Sequence, residues 1–574
     1  MSDHAGPVLI TGADVVGARP RPSAPEALSE RDTMTEKTSI EARKPEGLPD
    51  VLRHYIDGEF VDSIDGDTFE VLDPVTNEPY LTAASGKAAD IDRAVAAAKR
   101  AFESGEWSQA LPRQRSRVLH RIADIMETRG DQLAEMECFD TGLPIKQARG
   151  QAARAAENFR FFADLIVAQH DDTFKVPGRQ INYVNRKPIG VAGLITPWNT
   201  PFMLESWKLA PAIATGNSVV LKPAEFTPLS ASLWPGIFEE AGLPSGAYVN
   251  IRVSNEQAAE IIADPRVQGV SLTGSEGAGA SVAAAAGQHL KKAVLELGGS
   301  DPFIVLGGDL DAVAATAAKA RLSNAGQACN SPKRMIVLDE HYDEFVEKLT
   351  AAFKDATVGD PREEGTQVGP MSSTSAREDL MELVDDAVSH GAQVRTGGHA
   401  RAGAGAFMEP TVLTGVTREM RAWSEELFGP VAVVHRAADV DEAVALANES
   451  DFGLSGSVWS DDLELAEATA RRLDVGMAFV NEHGTTQAGL PFGGVGDSGF
   501  GRIHGADGLR DTAGAFGFGQ EMSIPMAVAP SRFPDEVDPP GLAKSAIGQQ
   551  DVAATPLEMA MVAAAVGNKG TVMK

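Results

Sequence analysis

Apolar residues recur at helical spacing in AADIDRAVAAAKRAFESG (88–105) and in RQRSRVLHRIADIMETRGDQLAEMECF (113–139), which predicts amphipathic helices over both stretches. Downstream the period changes. Short β-rich runs appear in VAGLITP (191–197), SVVLKP (218–223), VSLTG (270–274) and AVLEL (293–297), separated by alanine-rich helical stretches. Strand–helix alternation at this spacing predicts a parallel sheet with helices on both faces. A second series follows in PFIVL (302–306), MIVL (335–338), VAVVHR (431–436) and GMAFVN (476–481), so the chain reads as two α/β domains. DTFKVPGRQINYVNRKPIGV (172–191) has two extended arms about a Pro-Gly turn, the pattern of a β-hairpin projecting from the first domain.

The two ends differ from this body. Residues 1–50 are rich in Pro, Ser, Glu and Arg without a sustained period, and are expected to be disordered. Met34 is a second candidate start, with the residues before it an extension. Beyond Gly519, SIPMAVAPSRFPDEVDPPG (523–541) reads as a linker. A short helix is predicted after it, with Thr555 as N-cap, Pro556 at its first position and Glu558 completing a capping box.

A length of 574 residues exceeds one core and agrees with more than one domain. No apolar run approaches the length that crosses a bilayer, and no basic patch followed by an apolar core opens the chain. A formal net charge of −30 argues against nucleic acid and anionic membranes as partners. Two cysteines, Cys138 and Cys329, exclude a disulfide framework and point to a reducing cytoplasm.

Three residues stand out chemically. Cys329, in NAGQACN, falls on a loop between a predicted helix and the strand MIVL, where Gly326 permits close backbone approach. A stabilised thiolate there is a nucleophile, although a lone cysteine is more often a small buried hydrophobe. Glu296 interrupts an apolar strand in LELGG. A carboxylate so placed either has a task, such as taking a proton from water, or pairs with a lysine such as Lys292. Asn199, in ITPWNTP, follows a strand end and offers an amide to an oxyanion, unless it is a plain turn residue between prolines. LTGSEGAG (272–279) reads as a strand, a glycine-rich turn and a helix start able to offer N–H groups to phosphate.

Taken in order, these segments resemble the aldehyde dehydrogenase superfamily over roughly residues 53–517. The resemblance is carried by PWNTPFMLESWKLAPAIATGN (197–217), LKPAEFTP (221–228), LTGS (272–275), LELGG (295–299), NAGQAC (324–329), EELFGPV (425–431) and PFGG (491–494). It implies an α/β fold with a Rossmann-like NAD-binding domain over 51–297, interrupted by an oligomerisation hairpin at 172–190. A catalytic α/β domain over 298–500 and an oligomerisation segment at 501–519 complete it, as a homodimer or homotetramer. It implies attack of the Cys329 thiolate on an aldehyde, an oxyanion held by Asn199 and the Cys329 N–H, hydride transfer to NAD, and hydrolysis of the thioester by water that Glu296 activates. Lys222 and Glu225 then bind the adenosine ribose, Ser275 lies near the pyrophosphate, Glu426 binds the nicotinamide ribose and Phe428 positions the nicotinamide. Thr196, Pro197, Trp198, Gly274 and Leu297 line the same cofactor. Glu225 favours NAD, because a carboxylate accepts ribose hydroxyls and repels a 2′-phosphate. Relatives that pass the acyl group to coenzyme A generally lack the glutamate at Glu296, so a free acid is the expected product.

The first half is similar to hydroxymuconate-semialdehyde dehydrogenases and the second, through HLKKAVLELGGSDPFIVL (289–306), to succinate-semialdehyde dehydrogenases, which implies a carboxylate-bearing semialdehyde. The pattern also breaks. Ser323 stands where many succinate-type enzymes place an arginine, leaving Arg160, Arg321 and His483 as candidate anchors. The stretch from Glu296 to Cys329 is one residue shorter than usual, within LGGDLD (306–311). Gly496 replaces a common lysine, and IRVSNEQ follows Asn250 in place of a glycine-rich strand end. These departures keep a catalytically impaired NAD-binding protein as an alternative. The last 30 residues or so resemble a fragment of a penicillin-binding transpeptidase without its nucleophile motif, so no transpeptidase activity is expected from them.

Overall fold

Strands β1 (Val191–Ile195) and β2 (Ser218–Lys222) are buried at every position, as strands covered by helices on both faces must be. The structure is a computed structural model, and it describes residues 45, 47–168, 173–176, 180–183 and 187–503. β3 (Tyr248–Asn250) pairs in parallel with β2, and β4 (Val267–Thr273) pairs in parallel with the other edge of β1. β5 (Lys292–Glu296) lies beyond β4. Antiparallel strands His54–Ile56 and Glu59–Val61 extend the sheet past β3, and Gly499–Phe500 lies beside β5, giving eight strands among the described residues. The chain winds outward from β1 through β2 to β3, then crosses back to β4. The winding therefore reverses between β1 and β4, and the carboxyl ends of strands at such a reversal form a ligand crevice.

A second sheet of seven strands is built on β6 (Asp301–Val305), β7 (Pro332–Leu338) and β8 (Val431–Ala437), parallel and adjacent in that order. Ser455–Trp459 and Met477–Val480 extend it past β6, and Thr411–Thr414 and Gln393–Thr396 past β8. The two series of apolar runs thus become two sheets. Ser455–Trp459 and Thr411–Thr414 are strands that the apolar pattern does not announce, because their serines and threonines are buried only by tertiary packing.

Helix α1 (Ala88–Ser104) lies where its periodicity places it. The run 113–139 is two helices rather than one, α2 (Pro112–Thr128) and α3 (Gly130–Thr141). Arg129 leaves the helical region at φ −101° and ψ 15°, and the weak helix former Gly130 follows it. The apolar spacing continues across the break because Leu133 of α3 joins the core cluster of α2, while the rest of α3 packs into neighbouring clusters. α4 (Ile145–Ala168) and α5 (Pro201–Ala214) complete that layer. The predicted hairpin is present as Thr173–Val176 paired antiparallel with Gln180–Tyr183. Residues 1–44 and 46 of the N-terminal stretch, 504–519 of the predicted 501–519 segment, the 523–541 linker, the helix predicted after Thr555 and the transpeptidase-like tail lie outside the described residues. Among the described residues no helix is long and apolar enough to cross a membrane.

The core beside the first sheet holds three buried carboxyl groups at or beside α5. Asp140 accepts from Ser230 and Tyr80, Glu205 accepts from the Trp234 indole at 2.6 Å, and Glu137 accepts from the Phe202 N–H. Burial pushes Glu137 and Glu205 up to about 8 and Asp140 to about 6. The folded state therefore keeps protons that the unfolded chain releases at the ordinary carboxyl value, so these groups lose stability as pH rises toward 8. Glu205→Gln removes one of them. Calorimetric melting of this variant should decline less with rising pH than that of the parent, and parallel declines would contradict the assignment.

Candidate active site

Register brings the predicted residues to one level of the first sheet. Lys222 lies opposite Ile195, Ile195 opposite Leu272, and Thr273 opposite Glu296. Thr196, Pro197 and Trp198 therefore leave β1 beside Lys222 at the end of β2, Gly274 and Ser275 at the end of β4, and Glu296 and Leu297 at the end of β5. The hydroxyls of Thr196 and Thr273 are buried there without hydrogen-bond partners among the described residues. Ser275 caps α7 (Glu276–Gln288), its hydroxyl accepting from the Ala278 N–H at 3.3 Å. Lys222 is buried, and its ammonium donates to Asn255 Oδ1 at 2.7 Å. Asn255 belongs to the IRVSNEQ segment, where Ser254 and Gln257 cap a helix, α6 (Asn255–Ala263), reciprocally. Burial pulls the Lys222 ammonium down, and the nearby carboxylates Glu225 and Glu256 hold it up.

The second sheet contributes residues that precede its strands. Helix α8 (Leu310–Leu322) ends at Leu322, and Ser323–Gly326 form a tight turn before Cys329 and β7. Asn324 and Ala325 adopt φ of 51° and 52°, a strained region for side chains with a Cβ. Gly326 follows at φ 76°, where a Cβ would collide with the Gly429 carbonyl. Side chains hold this turn. The Asn324 amide donates to Asn199 O at 2.8 Å, the Asn324 N–H donates to Gln147 at 2.9 Å, and Gln327 Oε1 accepts from the Ser372 N–H at 2.8 Å. The buried Arg321 guanidinium donates to Gly326 O at 2.9 Å and to Val431 O at 2.7 Å.

Asn199 belongs to the same network. Its Nδ2 donates to Gln327 O at 3.0 Å, which leaves a second amide hydrogen, and among the described residues its Oδ1 has no partner. Cys329 is part-exposed and joins an apolar cluster of Met203, Leu204, Trp207, Leu454 and Phe492. Burial pushes its thiol up to about 12, and Lys333 is the chief charge acting the other way.

Glu296 is 2% exposed, and among the described residues neither carboxylate oxygen has a hydrogen-bond partner. The expected alternative partner, Lys292, is exposed and takes no part. The cations acting on Glu296 are Lys208 and Arg502, against a burial that raises its pKa well above the ordinary value. Lys208 is itself buried, donates to Ser271 at 3.0 Å and is pushed down to about 7 by burial. Gly493 of the PFGG segment packs so close to Glu296 that a Cβ there would lie 2.7 Å from Oε1.

Glu426 and Phe428 sit just before β8. Glu426 Oε1 accepts from the Gly299 N–H at 3.0 Å and from Lys333 at 2.9 Å. Phe428 meets Trp198 edge-to-face at 5.5 Å. This contact joins the two sheets.

The departures from the family pattern find places as well. The shortened stretch at 306–311 follows the far end of β6, whereas Cys329 precedes the start of the adjacent parallel strand β7, so the Cys329 loop does not carry the deletion. Gly496 has φ 60° and packs on the Asp451 carbonyl, so a side chain is strained there. Ser323 hydrogen-bonds Gln147 at 3.1 Å. Two of the proposed carboxylate anchors are otherwise engaged. Arg160 is held by Glu127 and Asp124, and Arg321 is buried on backbone carbonyls. His483 remains on the loop whose Gly484 carbonyl accepts from Asn330, next to Cys329. Sequence reasoning missed Lys208, Asn324, Gln327 and Lys333; the last three lie within NAGQACNSPK, where only the cysteine and glycine had drawn notice.

A family model described as the aldehyde dehydrogenase family matches residues 60–514. The chain belongs to the aldehyde dehydrogenase family. It is 45% identical over 436 residues to a succinate-semialdehyde dehydrogenase [NADP(+)] from Deinococcus radiodurans, a match covering 76% of this chain and 91% of that one. A succinate-semialdehyde dehydrogenase [NADP(+)] 1 from Mycobacterium ulcerans is 39% identical, over 76% and 96%. Among solved structures, betaine aldehyde dehydrogenase from Staphylococcus aureus in complex with NAD+ superposes with a TM-score of 0.78 at 34% identity, covering 80% of this chain and 93% of that one. An NAD-dependent aldehyde dehydrogenase from Sinorhizobium meliloti gives the same TM-score at 37% identity, over 80% and 93%. The protein is thus an aldehyde dehydrogenase, an oxidoreductase of the aldehyde group that uses a nicotinamide dinucleotide. The crevice fits such a cofactor. Buried, unpartnered hydroxyls of Thr196 and Thr273, a buried lysine and a capped helix start converge where the winding reverses.

Proposed function

We propose that this dehydrogenase oxidises a carboxylate-bearing semialdehyde to the acid with NAD, through a thioester on Cys329. The observation that carries the chemistry is the convergence of three groups: Asn199 bonds Gln327, two residues before Cys329, and Glu296, without a hydrogen-bond partner among the described residues, lies close enough to act on the Cys329 thiol. The Cys329 thiolate adds to the aldehyde carbon. The oxyanion is held by the spare Asn199 amide hydrogen and the Cys329 N–H. Thr196, Pro197, Trp198, Gly274, Ser275 and Leu297 would hold a nicotinamide dinucleotide, with Glu426 toward its ribose and Phe428 toward its ring, and this cofactor would accept the hydride that the substrate carbon loses as the oxyanion collapses to the Cys329 thioester. Glu296 then takes a proton from water as the water attacks the thioester, and the Cys329 thiolate leaves.

Asn199→Ala should lower kcat by roughly 10²- to 10³-fold, the usual effect of deleting one oxyanion donor. Steady-state kinetics with a reactive aldehyde checks this, and an undiminished kcat would remove Asn199 from the site.

Preference for NAD rests on charge. Glu225 and Glu256 both act on the Lys222 ammonium, and a 2′-phosphate brought to that lysine meets two carboxylates. Glu225→Gln should raise kcat/KM with NADP+ relative to NAD+ by about 10-fold. An unchanged ratio would mean that Glu225 does not face the ribose. The semialdehyde rests on the succinate-semialdehyde dehydrogenases among the relatives. It is tested by comparing succinate semialdehyde and hydroxymuconate-type semialdehydes with neutral aldehydes of similar length. A homodimer or homotetramer in the cytoplasm, where Cys329 stays reduced, completes the reading.

A further inference from the structure

Lys333 is the second residue of β7, and its side chain is 1% exposed. Burial of an ammonium is costly unless each of its three N–H groups finds an acceptor. Here they do: Ala328 O at 2.9 Å, Cys329 O at 2.7 Å and Glu426 Oε1 at 2.9 Å. The same ammonium lies 5.8 Å from the centre of the Phe428 ring. One side chain thus touches the backbone of the nucleophile loop, the carboxylate proposed for the nicotinamide ribose and the ring proposed to position the nicotinamide.

A hydrophobic residue of similar length would fill the space at less desolvation cost, so packing alone does not account for a lysine. The turn that carries Cys329 also spends conformational energy at Asn324 and Ala325, and needs fixed partners on both sides. Asn324 and Gln327 brace the side that precedes the cysteine. Lys333 braces the carbonyl of the cysteine itself.

We propose that Lys333 is the positioning residue of the nucleophile, tying the Ala328–Cys329 carbonyls to Glu426 and setting a fixed positive charge beside the thiolate. This rests on Cys329 being the nucleophile. The thiolate is then favoured by a charge that does not move during the reaction. The distance between the sulfur and the nicotinamide end of the crevice is fixed by a direct cross-link rather than by the long path through the two sheets.

The test is the pH dependence of Cys329 alkylation by iodoacetamide, located by mass spectrometry in the full chain, for the parent, Lys333→Met and Lys333→Arg. Lys333→Met should move the alkylation midpoint upward by about one pH unit and lower kcat by roughly 10-fold. Lys333→Arg keeps the charge and should keep the midpoint while still losing kcat, because a planar guanidinium cannot meet three tetrahedrally placed acceptors. A folded Lys333→Met protein with an unmoved midpoint overturns the proposal. Should Lys333→Met fail to fold, Glu426→Gln supplies the decision. Freed from the opposing carboxylate, the lysine charge should move the midpoint downward, and an unmoved midpoint again overturns it. If Cys329→Ala retains activity, the underlying assignment of the nucleophile fails instead.

Discussion

Cys329→Ala should abolish turnover, with a loss on the order of 10⁶-fold, the scale seen when a nucleophile is deleted from an acyl-transfer site. No neighbouring group replaces it: Cys138 is a buried thiol in a separate core cluster, pushed up to about 12 by burial. The backbone around Cys329 is held by Asn324, Gln327, Arg321 and Lys333 rather than by the thiol, so the variant should fold, melt at an unchanged temperature and bind cofactor as before. Loss of activity together with loss of folding would say that the thiol is structural. Retained activity would say that the chemistry lies elsewhere.

Glu296→Gln is expected to lower steady-state turnover by roughly 10²- to 10⁴-fold while sparing thioester formation. The glutamine keeps the shape of the site and loses the base, so one equivalent of reduced cofactor should appear rapidly and then stop. Mass spectrometry of the stalled protein should find the acyl group on Cys329. If Glu296 is the base, activity in the parent requires its ionised form, and burial raises its pKa well above the ordinary carboxyl value. The acidic limb of the kcat profile should accordingly fall well above the ordinary carboxyl range, with activity rising as pH rises through it. A glutamine variant that turns over normally, or one that forms no thioester, would remove Glu296 from the role of hydrolytic base.

Much of this site was legible as a set of local motifs. The apolar runs 191–197 and 218–223 announced β1 and β2 because strands buried on both faces must be continuously apolar. Glu296 was visible as a charge at the end of such a strand. Its isolation from Lys292 was not, because exposure of Lys292 is decided by which side chains the neighbouring strands cover. Lys333 was invisible for a similar reason: lysines in sequence read as surface, and only the pairing of β7 with β6 and β8 brings it under the cysteine loop. The strain at Asn324 and Ala325 leaves no compositional trace, since neither residue type demands a positive φ. The break at Arg129 was hidden by an apolar period that spans both helices. Arg160 and Arg321 looked available as anchors until their partners were in place.

Oxidation of an aldehyde through Cys329 is tested most directly by production of NADH by the purified full-length protein. NAD+ is supplied with succinate semialdehyde, hydroxymuconate-type semialdehydes and simple aliphatic and aromatic aldehydes, with Cys329→Ala in parallel. NADH and carboxylic acid are expected in equal amounts, fastest with a carboxylate-bearing semialdehyde, and none from the variant. Folded protein that binds NAD+ yet forms no NADH with any aldehyde, or a Cys329→Ala variant as active as the parent, would contradict this chemistry.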